Sequence, residues 1–232
     1  MSNNKSIKKV VLLFLLLLAP VCIYLLLTSG KHNLEPLTIY GPRRVVESGS
    51  GIADTVYHTI PKFALINQFG DTITREDMEG KIVVADFFFT SCKTICKDMR
   101  GQMMRVQDKF KTLDDFLILS FTVDPETDTK DVLASYAEGS NAIANKWHFL
   151  TGNKSDIYTL GTKGFFVVAD EDNSQPEIDS AQQFIHSNKF ILLDKQGRIR
   201  GIYDGDDRNS VKALMDDVKY LKFSESIPRK ND

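Results

Sequence analysis

The sequence predicts an α/β fold, a mixed central sheet flanked by helices, preceded by one N-terminal transmembrane helix. Three observations lead there. An uncharged apolar run, VVLLFLLLLAPVCIYLLL, occupies residues 10 to 27. Two nearly continuous apolar stretches, IVVADFFF from Ile82 and FLILSFTV from Phe116, have the pattern of strands buried on both faces. Segments with apolar residues at helical spacing alternate with these strands, which is the layout of α/β proteins.

Spanning the hydrocarbon core takes about 20 apolar residues, so the first run is just long enough as a helix, and Pro20 is tolerable within it. Lys5, Lys8 and Lys9 precede it and favour a cytoplasmic N-terminus. A cleaved signal peptide would carry a shorter core of about 7–15 residues and a small-x-small cleavage site. A lipid anchor at Cys22 would follow Val21, which is larger than the residue usual before a lipidated cysteine. Cys22 reads instead as a small apolar residue of a membrane helix. The expectation is a signal anchor over residues 10–28 after a cytoplasmic segment 1–9. It would cross the cell inner membrane once and hold the remainder on the periplasmic side.

Residues 29–58 mix Gly, Pro, Ser and charge without periodicity and read as a tether. Residues 59–224 carry the signals of one compact domain, followed by a tail at 225–232. Within the domain, a hairpin is expected from Phe63–Ile66 and Thr72–Thr74, then a helical turn from Glu76 ending at Gly80. The first buried strand follows, then a helix from Cys96 to Lys111 with Met99, Met103, Val106 and Phe110 at helical spacing. The second buried strand leads to a helix opened by Asp128-Thr129 and carrying Val132, Leu133 and Tyr136. Further strands are expected at Trp147–Leu150, Phe165–Ala169, Lys189–Leu193 and Ile199–Tyr203, the last two joined through Asp194-Lys195-Gln196-Gly197. A helix from Asp207 to Leu221 closes the domain, with Val211, Leu214, Val218 and Leu221 on one face. The order matches a thioredoxin-like arrangement, although periodicity alone does not separate that from other three-layer folds.

Composition narrows the function classes. The 29 basic and 31 acidic residues leave a net charge of −2, which lacks the basic surplus of a nucleic-acid module; no nucleic-acid partner is expected. Three cysteines do not frame a disulfide-rich scaffold. Cys92 and Cys96, however, sit between the strongest strand and the following helix, in FFFTSCKTICKDM. A spacing of four puts both side chains on one helix face, about 5–6 Å apart at Cβ. The helix N-terminus should lower their thiol pKa values. Such a pair can exchange with disulfides or hold a soft metal ion. It can also be a plain structural disulfide or two small buried hydrophobes. Structural zinc would need four ligands, and one cysteine pair with few histidines does not supply them.

His32 and His58 fall in or beside the tether, where exposure is expected, and His148 in WHFLTG reads as a strand or surface residue. His186 lies just before a strand and hairpin that a thioredoxin-like fold brings near the cysteine helix. On its own it reads either as a hydrogen-bonded loop residue or as a third ligand.

Together, TSCKTICKDM, FTVDPETDT (Phe121–Thr129), WHFLTG (Trp147–Gly152) and IHSNKFILLDKQGRIRGIYDG (Ile185–Gly205) resemble the Sco/SenC family, in the same order and over essentially all of the chain from Tyr57. These are membrane-anchored, thioredoxin-like proteins that bind copper and assist assembly of the binuclear copper centre of cytochrome c oxidase. The resemblance implies a copper metallochaperone with Cys92, Cys96 and His186 as ligands. Thiolates suit Cu(I), and an added imidazole lets the site tolerate Cu(II). It implies as partners the copper-receiving subunit of the oxidase and a thiol-disulfide oxidoreductase. The alternatives are a thiol-disulfide reductase acting on that subunit's cysteines, with Cys92 and Cys96 as the redox-active pair, or a redox or copper sensor using the same residues. A peroxidase motif is not visible.

Asp124 and Asp128 match the family's acidic loop; read alone, they form a turn and cap a helix at Asp128-Thr129. The chain departs from the family's C-P-x-x-C-P, placing Lys93 and Lys97 where prolines are common. Two lysines restore two backbone donors and add cations that favour thiolate. The expected shift is toward thiol-disulfide work or Cu(I), with weaker retention of Cu(II). Met99 and Met103 read as core residues rather than thioether ligands.

Overall fold

The computed structural model describes residues 3–29, 36–47, 53–92, 95–167 and 187–226, in two units, Met1–Pro36 and Leu37–Asp232. The first unit contains helix α1 (Asn3–Ser29). Its stretch Ile7–Tyr24 has a mean hydropathy of 2.3 with none of it buried, long and apolar enough to cross a membrane. Pro20 lies inside this helix and removes one backbone donor, the one that would reach the Leu16 carbonyl.

The second unit begins with a two-stranded antiparallel ribbon, β1 (Arg43–Glu47) and β2 (Ala53–Tyr57). This ribbon falls in the stretch that sequence patterning reads as a tether. Val45, Val46 and Val56 are exposed, so no alternation of buried and exposed positions marks it as strand. Just ahead of it, Tyr40 bridges to Ile199, and the Arg200 guanidinium donates to the carbonyls of Leu37 and Thr38 at 2.7 and 3.3 Å.

The main sheet has seven strands: β3 (Ala64–Asn67), β4 (Thr72–Thr74), β5 (Ile82–Phe88), β6 (Phe116–Thr122), β7 (Trp147–Thr151), β8 (Lys189–Leu193) and β9 (Ile199–Asp204). Their spatial order is β4-β3-β7-β6-β5-β8-β9. The central β5, β6 and β7 pair in parallel, while β3, β4, β8 and β9 join antiparallel. Every residue of β5 and β6 is buried, as their nearly continuous apolar character predicts, and the burial includes Asp86, Ser120 and Thr122.

Side chains alternate across the sheet, so each strand feeds two cores. On one face Ile82, Val84 and Phe88 of β5 meet α2 (Ile95–Phe110), α3 (Lys130–Gly139) and α5 (Arg208–Ser226) through Met103, Val106, Leu133, Leu214 and Val218. On the other, Val83, Ala85 and Phe87 pack with Ile157 of α4 (Lys154–Thr159), Leu160 and Phe165. The α5 stripe Val211, Leu214, Val218 and Leu221 is buried as its spacing predicts. Asp207 opens that helix by accepting the Ser210 backbone N–H at 2.9 Å.

Two further elements differ from the sequence expectation. Helix α4 occupies a stretch to which patterning assigns nothing, with Asn153 as its cap through the Ser155 N–H. It runs into a wide π-type turn, Leu160–Gly164, in place of a strand beginning at Phe165. Phe165 is right-handed helical and Phe166 has φ 52°, while Val168 and Ala169 lie outside the described residues. The N–H groups of Phe165 and Val167 go back to Leu160 and Gly161 at 3.0 Å, so this aromatic and β-branched run is buried as a coiled plug rather than paired in the sheet.

At the β8–β9 turn, Gly197 adopts φ 74° and donates its N–H to Asp194 at 2.8 Å. A Cβ there would come within 2.6 Å of the Arg75 guanidinium, so the turn requires glycine for both its conformation and its neighbour.

Candidate functional site

Strand β5 ends at Phe88, and the chain turns through Phe89–Ser91 before α2 begins at Ile95. The Cys92 N–H closes this turn onto the Phe89 carbonyl at 3.3 Å. Cys96 is in the first turn of α2 and faces the sheet with Met99 and Met103, which are core residues as expected. Cys92 is half-buried and packs at the edge of the same cluster. Both are thiols and they pack at one cluster, close enough for Cys92 to act on the Cys96 thiol. Ser91, just before the outer cysteine, is exposed, and Lys93 and Thr94, just after it, lie outside the described residues. Lys97 is exposed.

The thiol chemistry is not what a helix N-terminus alone predicts. The Cys96 thiol is pushed up to about 12, first by burial and then by its hydrogen bond with Cys92, with a backbone hydrogen bond at Phe89 acting the other way. Desolvation outweighs the helix dipole because this sulfur points into the core rather than along the helix axis into water. The pair is therefore asymmetric, with an outer sulfur at Cys92 and an inner one at Cys96.

Beneath the inner sulfur lies a small polar pocket that sequence reading overlooks. Asp86, in phase with Val84 and Phe88 on the α2 side of β5, is buried and accepts a hydrogen bond from the Ser120 hydroxyl. Ser120 in turn accepts the Trp147 indole N–H at 2.8 Å. These groups, with Cys96, Met99, Arg100 and Tyr136, line a cavity of about 10 Å³, at the lower limit for one water. Burial raises the Asp86 carboxyl to about 7, against which the Ser120 hydrogen bond works. Arg100 stacks over the Tyr136 ring at 5.2 Å, and Tyr136 stacks on Phe88. The signal available in the sequence is an acid inside a strand whose neighbours are all apolar.

Asp128 also differs from expectation. It does not cap α3: Thr129 holds the cap position without a side-chain hydrogen bond. The Asp128 carboxylate is instead fully buried, accepting from the Thr90 N–H at 3.0 Å and from the hydroxyls of Thr90 and Thr122. Asp124 forms the expected turn, its carbonyl accepting the N–H groups of Thr127 and Asp128.

The third predicted ligand, His186, lies outside the described residues, as does the tether residue His32. Among the described residues no three His, Cys, Asp or Glu side chains meet as a metal cluster. His58 is part-buried rather than exposed, its Nε2 2.8 Å from the Gly164 carbonyl and its ring against Phe166. His148 is on β7, its Nδ1 3.3 Å from the Asn67 amide, and burial lowers its pKa. Neither is near the cysteines in the hydrogen-bond network. A dithiol with one thiol in the turn before α2 and the other in its first turn is nonetheless a soft donor pair, and its chemistry suits Cu(I) better than a hard cation.

Comparison with known proteins identifies the family and the fold. The SCO1/SenC family profile matches residues 53–222. The SCO1 protein homolog of Bacillus subtilis (strain 168) is 32% identical over 173 residues, covering 74% of this chain and 86% of that protein. The solved structure of BsSco, a member of the Sco family of cytochrome c oxidase assembly proteins in which a disulfide switch is identified, superposes with a TM-score of 0.59 at 30% identity, covering 71% of this chain and 93% of that one. Yeast Sco1 with copper bound shares the fold, with a TM-score of 0.55 at 21% identity over 75% of this chain and 98% of that one. The fold is thioredoxin-like, with a mixed sheet flanked by helices.

Proposed function

The chain belongs to the SCO1/SenC family, and from that premise we propose that it is a membrane-anchored copper metallochaperone for cytochrome c oxidase. Its cargo is copper, held by Cys92, Cys96 and His186 and passed to the copper-receiving subunit. The observation that carries this reading is that Cys96 is buried in one core cluster and Cys92 packs against the edge of that same cluster, beyond the end of β5. Two sulfurs brought together there can share one soft ion, and the less covered one gives a recipient's ligand a point of entry. Support comes from the copper-loaded yeast relative and from the oxidase-assembly role of BsSco. The apolar helix α1 supports anchoring, with the basic N-terminal flank favouring a periplasmic domain.

The asymmetry of the pair favours a second activity. In thiol-disulfide exchange, the Cys92 thiolate would attack a partner disulfide and release one partner thiolate. Cys96, losing its proton, would then attack the mixed disulfide, close the Cys92–Cys96 bond and release the second. Two electrons pass from the pair to the partner. A solvent-facing attacking sulfur and a covered resolving sulfur are what this sequence of steps uses.

Anaerobic titration of the reduced full chain in detergent with Cu(I) and Cu(II) tests the proposal. One equivalent bound by the wild type, and lost in Cys96→Ser and His186→Ala, is expected. Reduction of a partner disulfide without any copper binding would replace the chaperone by the reductase.

A further inference from the structure

We propose that Asp128 is the positioning residue of the cysteine pair, acting through Thr90 to set the distance between the two sulfurs. This rests on the dithiol reading above and adds a determinant for it. The inner sulfur is already placed, because Cys96 is packed with Met99 and Met103 against the sheet. The separation is then set by whatever holds the turn that carries Cys92. That turn runs from Phe89 to Cys92, and its second residue is gripped twice by one carboxylate, through the Thr90 N–H at 3.0 Å and through the Thr90 hydroxyl. The grip has a firm base. Asp128 is fully buried, the Thr122 hydroxyl at the end of β6 donates to it, and the Asp124 N–H donates to Thr122 at 3.0 Å.

The residue type is informative. All three groups facing Asp128 act as donors, and they use both carboxylate oxygens. An amide of the same size could keep its oxygen on the Thr90 N–H and the Thr122 hydroxyl only by turning its NH2 on the Thr90 hydroxyl, which removes the charge that strengthens all three hydrogen bonds. A carboxylate without these donors would be too costly to bury. A helix cap or a surface turn would not need this combination, and Thr129 holds the cap position instead. The acid therefore connects the end of β6 and the start of α3 to the residue two places before Cys92.

The test is the equilibrium between dithiol and disulfide in the full chain in detergent, poised with glutathione at fixed pH and read by mass after alkylation. It needs no copper, so it stands or falls separately from the chaperone reading. The grip is formed around the thiol pair, so loosening it shifts the equilibrium toward the disulfide. Asp128→Asn and Thr90→Val should each shift it at least about fivefold, where tenfold corresponds to about 30 mV. Thr90→Ser keeps the hydroxyl and should stay within about twofold of wild type, a rescue that a bulk packing role would not produce. Where Asp128→Asn fails to fold, the Thr90→Val and Thr90→Ser comparison decides alone. An unchanged equilibrium in Thr90→Val, a shift in the opposite direction, or an equal shift in Thr90→Ser overturns the proposal.

Discussion

The Asp86 carboxyl and the Cys96 thiol line one cavity of about 10 Å³ beneath the first turn of α2. One is raised to about 7 and the other to about 12, both chiefly by burial. The pocket thus disfavours the charged form of both acids, with the Trp147–Ser120–Asp86 hydrogen bonds running beneath them.

Asp86 makes stability pH-dependent in a definite direction. Its ordinary value of 3.8 becomes about 7 in the folded chain. Between those values the native state retains a proton that the unfolded chain has released, so stability falls as pH rises through this window. The contribution is fully present below the unfolded value and is lost above about 7, amounting to about 4 kcal/mol. Urea unfolding between pH 5 and 8 should show this decline, and Asp86→Asn, which cannot ionise, should flatten it.

The two cysteines should differ in reactivity. The Cys96 thiol is covered and pushed up to about 12, whereas Cys92 is half-buried at the surface of the turn. Iodoacetamide at neutral pH should modify Cys92 at least about tenfold faster than Cys96, read by peptide mass spectrometry. Equal rates would mean that the inner sulfur is not shielded.

Removing the indole donor isolates the network under the pair. Trp147→Phe keeps a ring stacked on Phe149 but leaves Ser120 without its donor and opens a gap. A loss of about 1–3 kcal/mol is expected from denaturant curves. Gly197→Ala should cost a similar amount for a different reason, forcing a positive φ and a contact with Arg75.

Arg200 ties the start of the second unit to β9. Arg200→Ala removes the donors to the Leu37 and Thr38 carbonyls. Hydrogen exchange at Tyr40, whose N–H bonds Ile199 at 2.9 Å, should accelerate severalfold while β5 and β6 remain protected.

Much of this architecture is written in periodicity. The strands β5 and β6, the α2 stripe through Phe110 and the α5 stripe through Leu221 have patterns strong enough to read directly. The ribbon of β1 and β2 is hidden because its valines, Val45, Val46 and Val56, are exposed and no buried apolar alternation marks it. Phe165 and Val167 mislead because burial selects the same residue types as a strand, while their N–H groups are satisfied locally. At the site, the cysteine spacing announces the pair, but the inner sulfur's desolvation depends on which way the helix faces. The partners of Asp128 are equally invisible in one dimension, since Thr90 is 38 residues away along the chain.

One sulfur is half-covered at the edge of the core and the other is buried within it. Traffic through such a doorway has an order. Under the proposed function, whatever arrives would meet the residue 92 side first and whatever departs would let go of residue 96 last, so a visiting protein could begin an exchange before the resident bond at the back is surrendered.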